Sequence, residues 1–397
     1  MTELLSLAEA QRAVLARVAP LAAETVALAK AAGRVLAEPA KAVVDLPPFP
    51  SSAMDGYAVR AADTPGTLPV VFRIAAGNPA PRPLASGEAM AIATGGVVPE
   101  GADAVIQHEL VGESDNKVEI REAVATSANV RPVGGDVTRG AVVAEVGVRL
   151  GAGQIGALAA AGIAEVVCHR RPRIAVLTTG TELREPGSPL GPGEVYEANG
   201  VMLAAQLAAS GAEVRRLAAV ADDEDAHRRS LAEGLEFDVL VTSGGVSVGP
   251  HDLVRRVEAE LGVEEVFWRV AVRPGKPVSF GVRDRTLVFG LPGNPVSSLV
   301  GCELFVRPAV LALQGAAEPG PRFASGRLEV DVARNPHRDD LLRARSEVTE
   351  DGVSLRPVTG QESHMIVRAA EADALVLVPR GEGQLPAGSA VRYIPLG

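Results

Sequence analysis

Val239-Leu240-Val241-Thr242-Ser243-Gly244-Gly245-Val246-Ser247-Val248-Gly249-Pro250-His251-Asp252 is the stretch that decides how this chain folds. The apolar run Phe237 to Val241 predicts a buried strand. It breaks into a loop with three glycines and two serines. A helical pattern starts at Asp252, with Leu253, Val254, Val257 and Leu261 on one face. A strand, a Gly/Ser loop and a helix start suit an anionic ligand. Glycines let backbone N–H groups turn inward, serines add donors, and the helix start adds partial positive charge. A tight strand–helix turn without a ligand has the same pattern. Two further loops, Thr178–Leu183 and Gly290–Ser298, also follow apolar runs, and their company favours the ligand reading.

Working outward, the same rhythm repeats. Strands are expected at Ile174–Leu177, Val214–Val220 and Thr286–Phe289. Helices are expected at Asn199–Ser210, Asp223–Leu235 and Pro295–Leu313, with Gly211 as a C-cap. This alternation predicts an α/β domain with a mostly parallel sheet over 171–318. Ligands bind at the carboxyl ends of such strands, so the three loops should converge on one crevice.

The flanks read differently. Thr2–Leu36 has helical spacing, with a second short helix toward Ala31–Leu36. Pro47-Pro48-Phe49-Pro50 forces an extended connector. Val70–Ile74, Glu88–Ile92, Ala104–Gln107 and Lys117–Ile120 read as strands of a β-rich module at 49–137. That module is inserted in an N-terminal helical/extended domain formed by 1–48 and 138–170. Short alternating segments after Pro319 predict a small β domain at 319–397. The fold class is multidomain, α/β and β.

The length of 397 residues calls for two to four domains. A net charge of −10 argues against nucleic acid or a membrane surface as partner. Cys168 and Cys302 lie far apart with no CxxC, so zinc is not expected. No signal peptide or membrane-spanning run is readable, and a cytoplasmic location is the expectation.

Acids punctuate the strand–loop units. Glu182 follows Thr179-Gly180-Thr181, and Asp222 and Asp252 close the next two units. Three carboxylates beside phosphate donors suit Mg²⁺; each could equally cap a turn or helix. Arg273-Pro274-Gly275-Lys276-Pro277 holds two cations on a restricted turn, aimed at an anion or simply solvated. Leu291-Pro292-Gly293-Asn294-Pro295-Val296-Ser297 leads rigidly into a helix, as a ligand loop or a structural turn. In the inserted module Asp55 follows Met54, Thr94 opens Thr-Gly-Gly, and Asp136 follows Gly134-Gly135. A solvated turn accounts for each of these acids on its own. No Ser–His–Asp or Cys–His arrangement is readable, so no covalent nucleophile is expected.

Several motifs occur together in order: Ser52-Ala53-Met54-Asp55-Gly56-Tyr57-Ala58-Val59, Thr94-Gly95-Gly96, Gly101-Ala102-Asp103-Ala104-Val105, Thr179-Gly180-Thr181-Glu182-Leu183, Thr242–Gly249, Arg273–Pro277 and Leu291–Ser297. With this set the chain closely resembles the MoeA family of molybdopterin molybdenumtransferases, which includes the gephyrin E domain. The resemblance spans essentially the whole chain. It implies a three-layer molybdopterin-binding α/β domain. It also implies insertion of molybdate into adenylylated molybdopterin, giving molybdenum cofactor and AMP with Mg²⁺. An elongated homodimer is implied, with the cleft between the α/β domain of one subunit and the inserted module of the other. Protein partners would be a molybdopterin adenylyltransferase and cofactor-accepting enzymes.

On this resemblance Glu182, Asp222 and Asp252 serve the metal and nucleotide. Thr179, Gly180, Ser243, Gly244, Gly245, Ser247, Gly249, Pro292, Gly293, Asn294 and Pro295 cradle phosphate or pterin. Asp55, Thr94 and Asp136 come across the dimer, and Arg273, Lys276, Arg343 and Ser363 take the oxyanion. The sequence departs from the family pattern at Arg273, where Lys is frequent, and at Glu362, where Gly is frequent. A molybdopterin adenylyltransferase, which shares the Ser-Gly-Gly loop, is the nearest alternative, but it lacks the inserted module and terminal domain. A scaffold role, as gephyrin also has, is the alternative of a different class.

Overall fold

The structure is a computed structural model that describes residues 4–220, 223–245 and 253–396. The chain forms two compact units. One comprises Thr25–Ala32 and Glu38–Val167; the other comprises Met1–Glu24, Gly33–Ala37 and Cys168–Gly397.

The smaller unit is built on a six-stranded sheet in the order Ala104–Gln107, Gly56–Val59, Ala89–Ile92, Gly66–Ile74, Lys117–Ile120, Val111–Ser114. Alternation along each strand sends side chains to opposite faces. Tyr57 and Val59 join Leu68, Val118 and Ile120 in one core, whereas Ala58 joins Met90, Ile92 and Val105 in another. The Tyr57 hydroxyl donates to Glu113; burial and this bond push the phenol up to about 12.

In the larger unit the α/β sheet runs Glu213–Arg216, Arg173–Thr178, Val239–Ser243, Thr286–Leu291, Ser279–Arg283, Glu264–Trp268. The first four strands are parallel, and Ser279–Arg283 pairs antiparallel with both Thr286–Leu291 and Glu264–Trp268. The central strands are buried on both faces, which explains their continuous apolar runs. Ile174, Val176, Val239 and Val241 pack on one side with Leu203, Leu207, Val296 and Val300. Ala175, Leu177 and Leu240 pack on the other with Leu231, Val254 and Val257. Three layers result. The two antiparallel strands are not among the sequence-based expectations: Glu264 and Glu265 obscure the first, and Gly281 interrupts the second.

The helix Pro295–Leu313 is long and apolar enough to cross a membrane by composition, but 83% of its apolar window is buried in this core. Pro308 cannot donate to the Leu304 carbonyl, and Gln11 Nε2 donates to it instead (3.2 Å). A π-turn at Cys302–Val306 sits just before.

The N-terminus corrects the helical reading of Thr2–Leu36. A helix covers only Leu7–Leu15, started by a Ser6/Glu9 capping box. Pro20 cannot continue it, and Ala23–Ala27 is a strand followed by one 3₁₀ turn at Leu28–Lys30. β-branched Thr25 and Val26 favour that extended backbone.

The C-terminal strands close on themselves in the order Asp339–Thr349, Gly352–Pro357, Ala324–Leu328, Ala390–Pro395, Ala374–Val378, the last pairing again with the first. Ala344, Leu355, Val376 and Tyr393 fill its interior. Leu341, Leu375, Leu377 and Ile394 face the α/β core instead. A short strand, Val272–Arg273, leaves the α/β domain to pair in parallel with Asp339–Asp340.

Candidate active site

The parallel register places Thr178 beside Ser243 and Ser243 beside Leu291, so three strands end level. Backbone bonds then stitch their loops together. Thr179 N–H donates to the Ser243 carbonyl (3.1 Å), and Gly244 N–H to the Leu291 carbonyl (3.1 Å). The Ser243 side chain is only 2% exposed. Its hydroxyl donates to the Pro292 carbonyl (3.2 Å), lies 3.0 Å from Ser298 Oγ and accepts from Asn199 Nδ2 (2.9 Å). Ser243 is thus a buried clasp whose hydroxyl is engaged within the protein.

Asn199 was not singled out as a site residue from sequence. Its Nδ2 also donates to the Gly293 carbonyl (2.7 Å), so one amide bridges two strand-end loops. An Asn at a helix start reads as a cap, which conceals this role.

Gly244 has φ +96°, and a Cβ there would lie 2.7 Å from Thr179 O and Oγ1. The loop therefore needs glycine for both conformation and close approach. Gly293 lies against Gly244, with its Cβ position 3.7 Å from Gly244 Cα. The Glu182 carboxylate folds over Gly180, where a Cβ would come within 2.6 Å of it. Glu182 is exposed, and its oxygens are hard donors suited to Mg²⁺. Among the described residues no cluster of three potential metal ligands forms. Asp222, Ser247, Gly249 and Asp252 lie outside the described residues.

Next to these loops is a cavity of about 660 Å³ lined by Arg273, Lys276, Arg338, Asn294, Ser297 and Ser363, among others. Pro292 and Asn294 belong to both the loops and the cavity wall. Asn294 Nδ2 donates to Ser363 Oγ (2.9 Å), and Val296 N–H donates to the Ser363 carbonyl (3.0 Å). Ser363 is thereby tied to the start of the Pro295 helix. Arg273 pairs with Asp340, whose carboxyl burial pushes above its ordinary range against the pull of that guanidinium. Arg338, Gln361 and His364 also line the cavity and were not singled out as site residues from sequence, although Gln361 and His364 flank the Glu362-Ser363 pair.

Arg343 lies beneath the Ser363 loop. It is 1% exposed and does not line the cavity. Its guanidinium donates to the carbonyls of Met365 (2.8 Å), Gly360 (2.6 Å) and Glu362 (3.3 Å). It braces the loop that carries Ser363.

In the smaller unit, Asp55 and Thr94 come together. Asp55 Oδ1 accepts from Thr94 N–H (2.6 Å) and Thr94 Oγ1 (3.0 Å). The Thr94 amide, then its hydroxyl, hold the Asp55 carboxyl below the ordinary carboxylate range. Asp136 is exposed on a separate turn, where its N–H donates to the Leu46 carbonyl (2.9 Å).

Three regions of the chain match known domain families. Residues 5–162 match the MoeA N-terminal region (domain I and II), 175–312 the probable molybdopterin binding domain, and 325–396 the MoeA C-terminal region (domain IV). A molybdopterin molybdenumtransferase of Haemophilus influenzae is 35% identical over 382 residues, covering 95% of this chain and 94% of the relative. The chain belongs to the molybdopterin molybdenumtransferase family. A Staphylococcus aureus transferase of this family is 33% identical over 394 residues, covering 97% of this chain and 94% of its own. A solved molybdopterin biosynthesis MoeA protein of Pyrococcus horikoshii is 32% identical, covers 100% of both chains and superposes with a TM-score of 0.80. A second structure from that organism gives 0.84 at 27% identity, covering 99% of this chain and 100% of the other.

Proposed function

We propose that this chain inserts molybdate into adenylylated molybdopterin, giving molybdenum cofactor and releasing AMP. The observation that carries the reading is the junction of two surfaces in one unit. The strand-end loops of Thr179, Gly244 and Gly293 adjoin a cavity lined by Arg273 and Lys276, with Pro292 and Asn294 shared between them. One surface suits a pterin nucleotide held by backbone donors; the other suits a tetrahedral oxyanion.

In this reading the protein binds and orients both reactants. Backbone N–H groups at Gly245 and Gly293 hold the nucleotide phosphates. Lys276, Arg273 and Ser363 hold molybdate, and their charges lower its repulsion from the nucleotide. The substrate's two dithiolene sulfurs replace two molybdate oxygens, which take up protons and leave as water; one water is consumed in cleaving the phosphoanhydride, AMP departs, and no protein nucleophile is needed. Glu182, with Asp222 and Asp252, would hold Mg²⁺, which supplies charge neutralisation at phosphate oxygen. A second copy of the chain supplies Asp55 and Thr94, with Asp136, in a homodimer working in the cytoplasm.

The test is molybdate-dependent release of AMP from adenylylated molybdopterin by the purified protein. Molybdate-independent release would contradict the proposal. Undiminished release by the Glu182→Ala, Asp252→Ala double variant would remove the assigned metal role.

A further inference from the structure

We propose that Asp340 is the positioning residue for Arg273, holding one edge of its guanidinium so that the other edge serves the oxyanion. This rests on the reading of the cavity given above.

The backbone sets up the pair. Strand Val272–Arg273 runs parallel to Asp339–Asp340, with Arg273 directly opposite Asp340. The two residues come from different domains, 67 positions apart. Asp340 is 1% exposed, while the Arg273 side chain is 50% exposed and lines the cavity. Arg273 Nη2 donates to Asp340 Oδ2. The other oxygen, Oδ1, is buried and has no hydrogen-bond partner among the described residues.

A buried carboxylate with one oxygen unsatisfied is costly, and an apolar side chain would fill such a site more stably. Its benefit must therefore lie in what it does to Arg273. A guanidinium carries five donors in a planar fork and can be held on one edge while binding on the other; an ammonium cannot. Among the described residues Arg273 makes no other ion pair or side-chain hydrogen bond, so its remaining donors stay available. The carboxylate does not cancel the site. Arg273, Lys276 and Arg338 stand against Asp340 and Glu362, leaving an excess of one positive charge.

Steady-state kinetics with molybdate and with adenylylated molybdopterin varied separately test this in Asp340→Ala, Arg273→Ala and the double variant. Asp340→Ala should raise the KM for molybdate about tenfold and leave kcat and the other KM within about twofold. On the Arg273→Ala background the same change should add less than about twofold. An undiminished effect on that background, or an equal rise in both KM values, would overturn the proposal in favour of general structural support. If Lys276→Ala is defective for molybdate while Asp340→Ala is normal, the cavity reading stands and this proposal falls. A wild-type protein without molybdate dependence overturns both. Should Asp340→Ala fail to fold, Asp340→Asn keeps the shape without the charge and should raise the molybdate KM about threefold; an unchanged value would again overturn the proposal.

Discussion

Two neighbouring walls of the larger unit bind by different means. The strand-end wall is made largely of backbone, with the Glu182 carboxylate over Gly180. Its loops are locked by the buried Ser243 hydroxyl and the Asn199 amide, and its closest approach is Gly244 against Thr179. The cavity wall is charged and made of side chains, with Arg273 steadied by a buried carboxylate from another domain. The first wall is rigid because the sheet register sets it. The second depends on two domains meeting correctly. The difference teaches that pre-organisation can come from main-chain register or from a single buried ion pair, and that these should fail differently.

The sharpest way to break the first wall is Gly244→Ala. A methyl 2.7 Å from the Thr179 carbonyl, at φ +96°, forces the loops apart. Chemical denaturation should show a loss of about 3 kcal/mol, with loss of nucleotide binding. The matching change in the second wall is Lys276→Ala. It should raise the molybdate KM about thirtyfold, roughly 2 kcal/mol, and leave stability nearly unchanged, because the lost contact exists only with ligand bound.

Asn199→Ala should lower stability by about 1.5 kcal/mol and weaken nucleotide binding before molybdate binding. Equal weakening of both would show that the walls are coupled rather than separate. The smallest effect is expected outside both walls. Tyr57→Phe should cost about 1 kcal/mol near neutrality. The phenol is raised to about 12 in the fold, from an ordinary 10.0. Its contribution is thus fully present below pH 10 and lost as pH rises through about 12. Wild type should lose stability over that window, and Tyr57→Phe should lose less.

The contrast also explains what the sequence made legible. The strand-end loops are written locally: apolar runs stop at Gly, Ser and Pro, and the parallel sheet then brings those ends together. The interior of the C-terminal β domain follows from alternation in the same way. The cavity is not local. Asp340 meets Arg273 only because Val272–Arg273 leaves one domain to pair with another, and no pattern near either residue announces it. The bracing role of Arg343 was hidden for a related reason. Its charge suggested an anion, but its fork is used by three carbonyls of the loop it supports. Asn199 was hidden inside an ordinary helix-start signal. The two antiparallel strands escaped because their acidic and glycine residues break the apolar rhythm.

The most direct test of the central claim is a crystal structure with tungstate or molybdate bound, located by its anomalous scattering. The account predicts one site in the 660 Å³ cavity, within hydrogen-bonding distance of Lys276, Arg273 and Ser363. An oxyanion seated elsewhere, with this cavity empty in protein that releases AMP in response to molybdate, would contradict it.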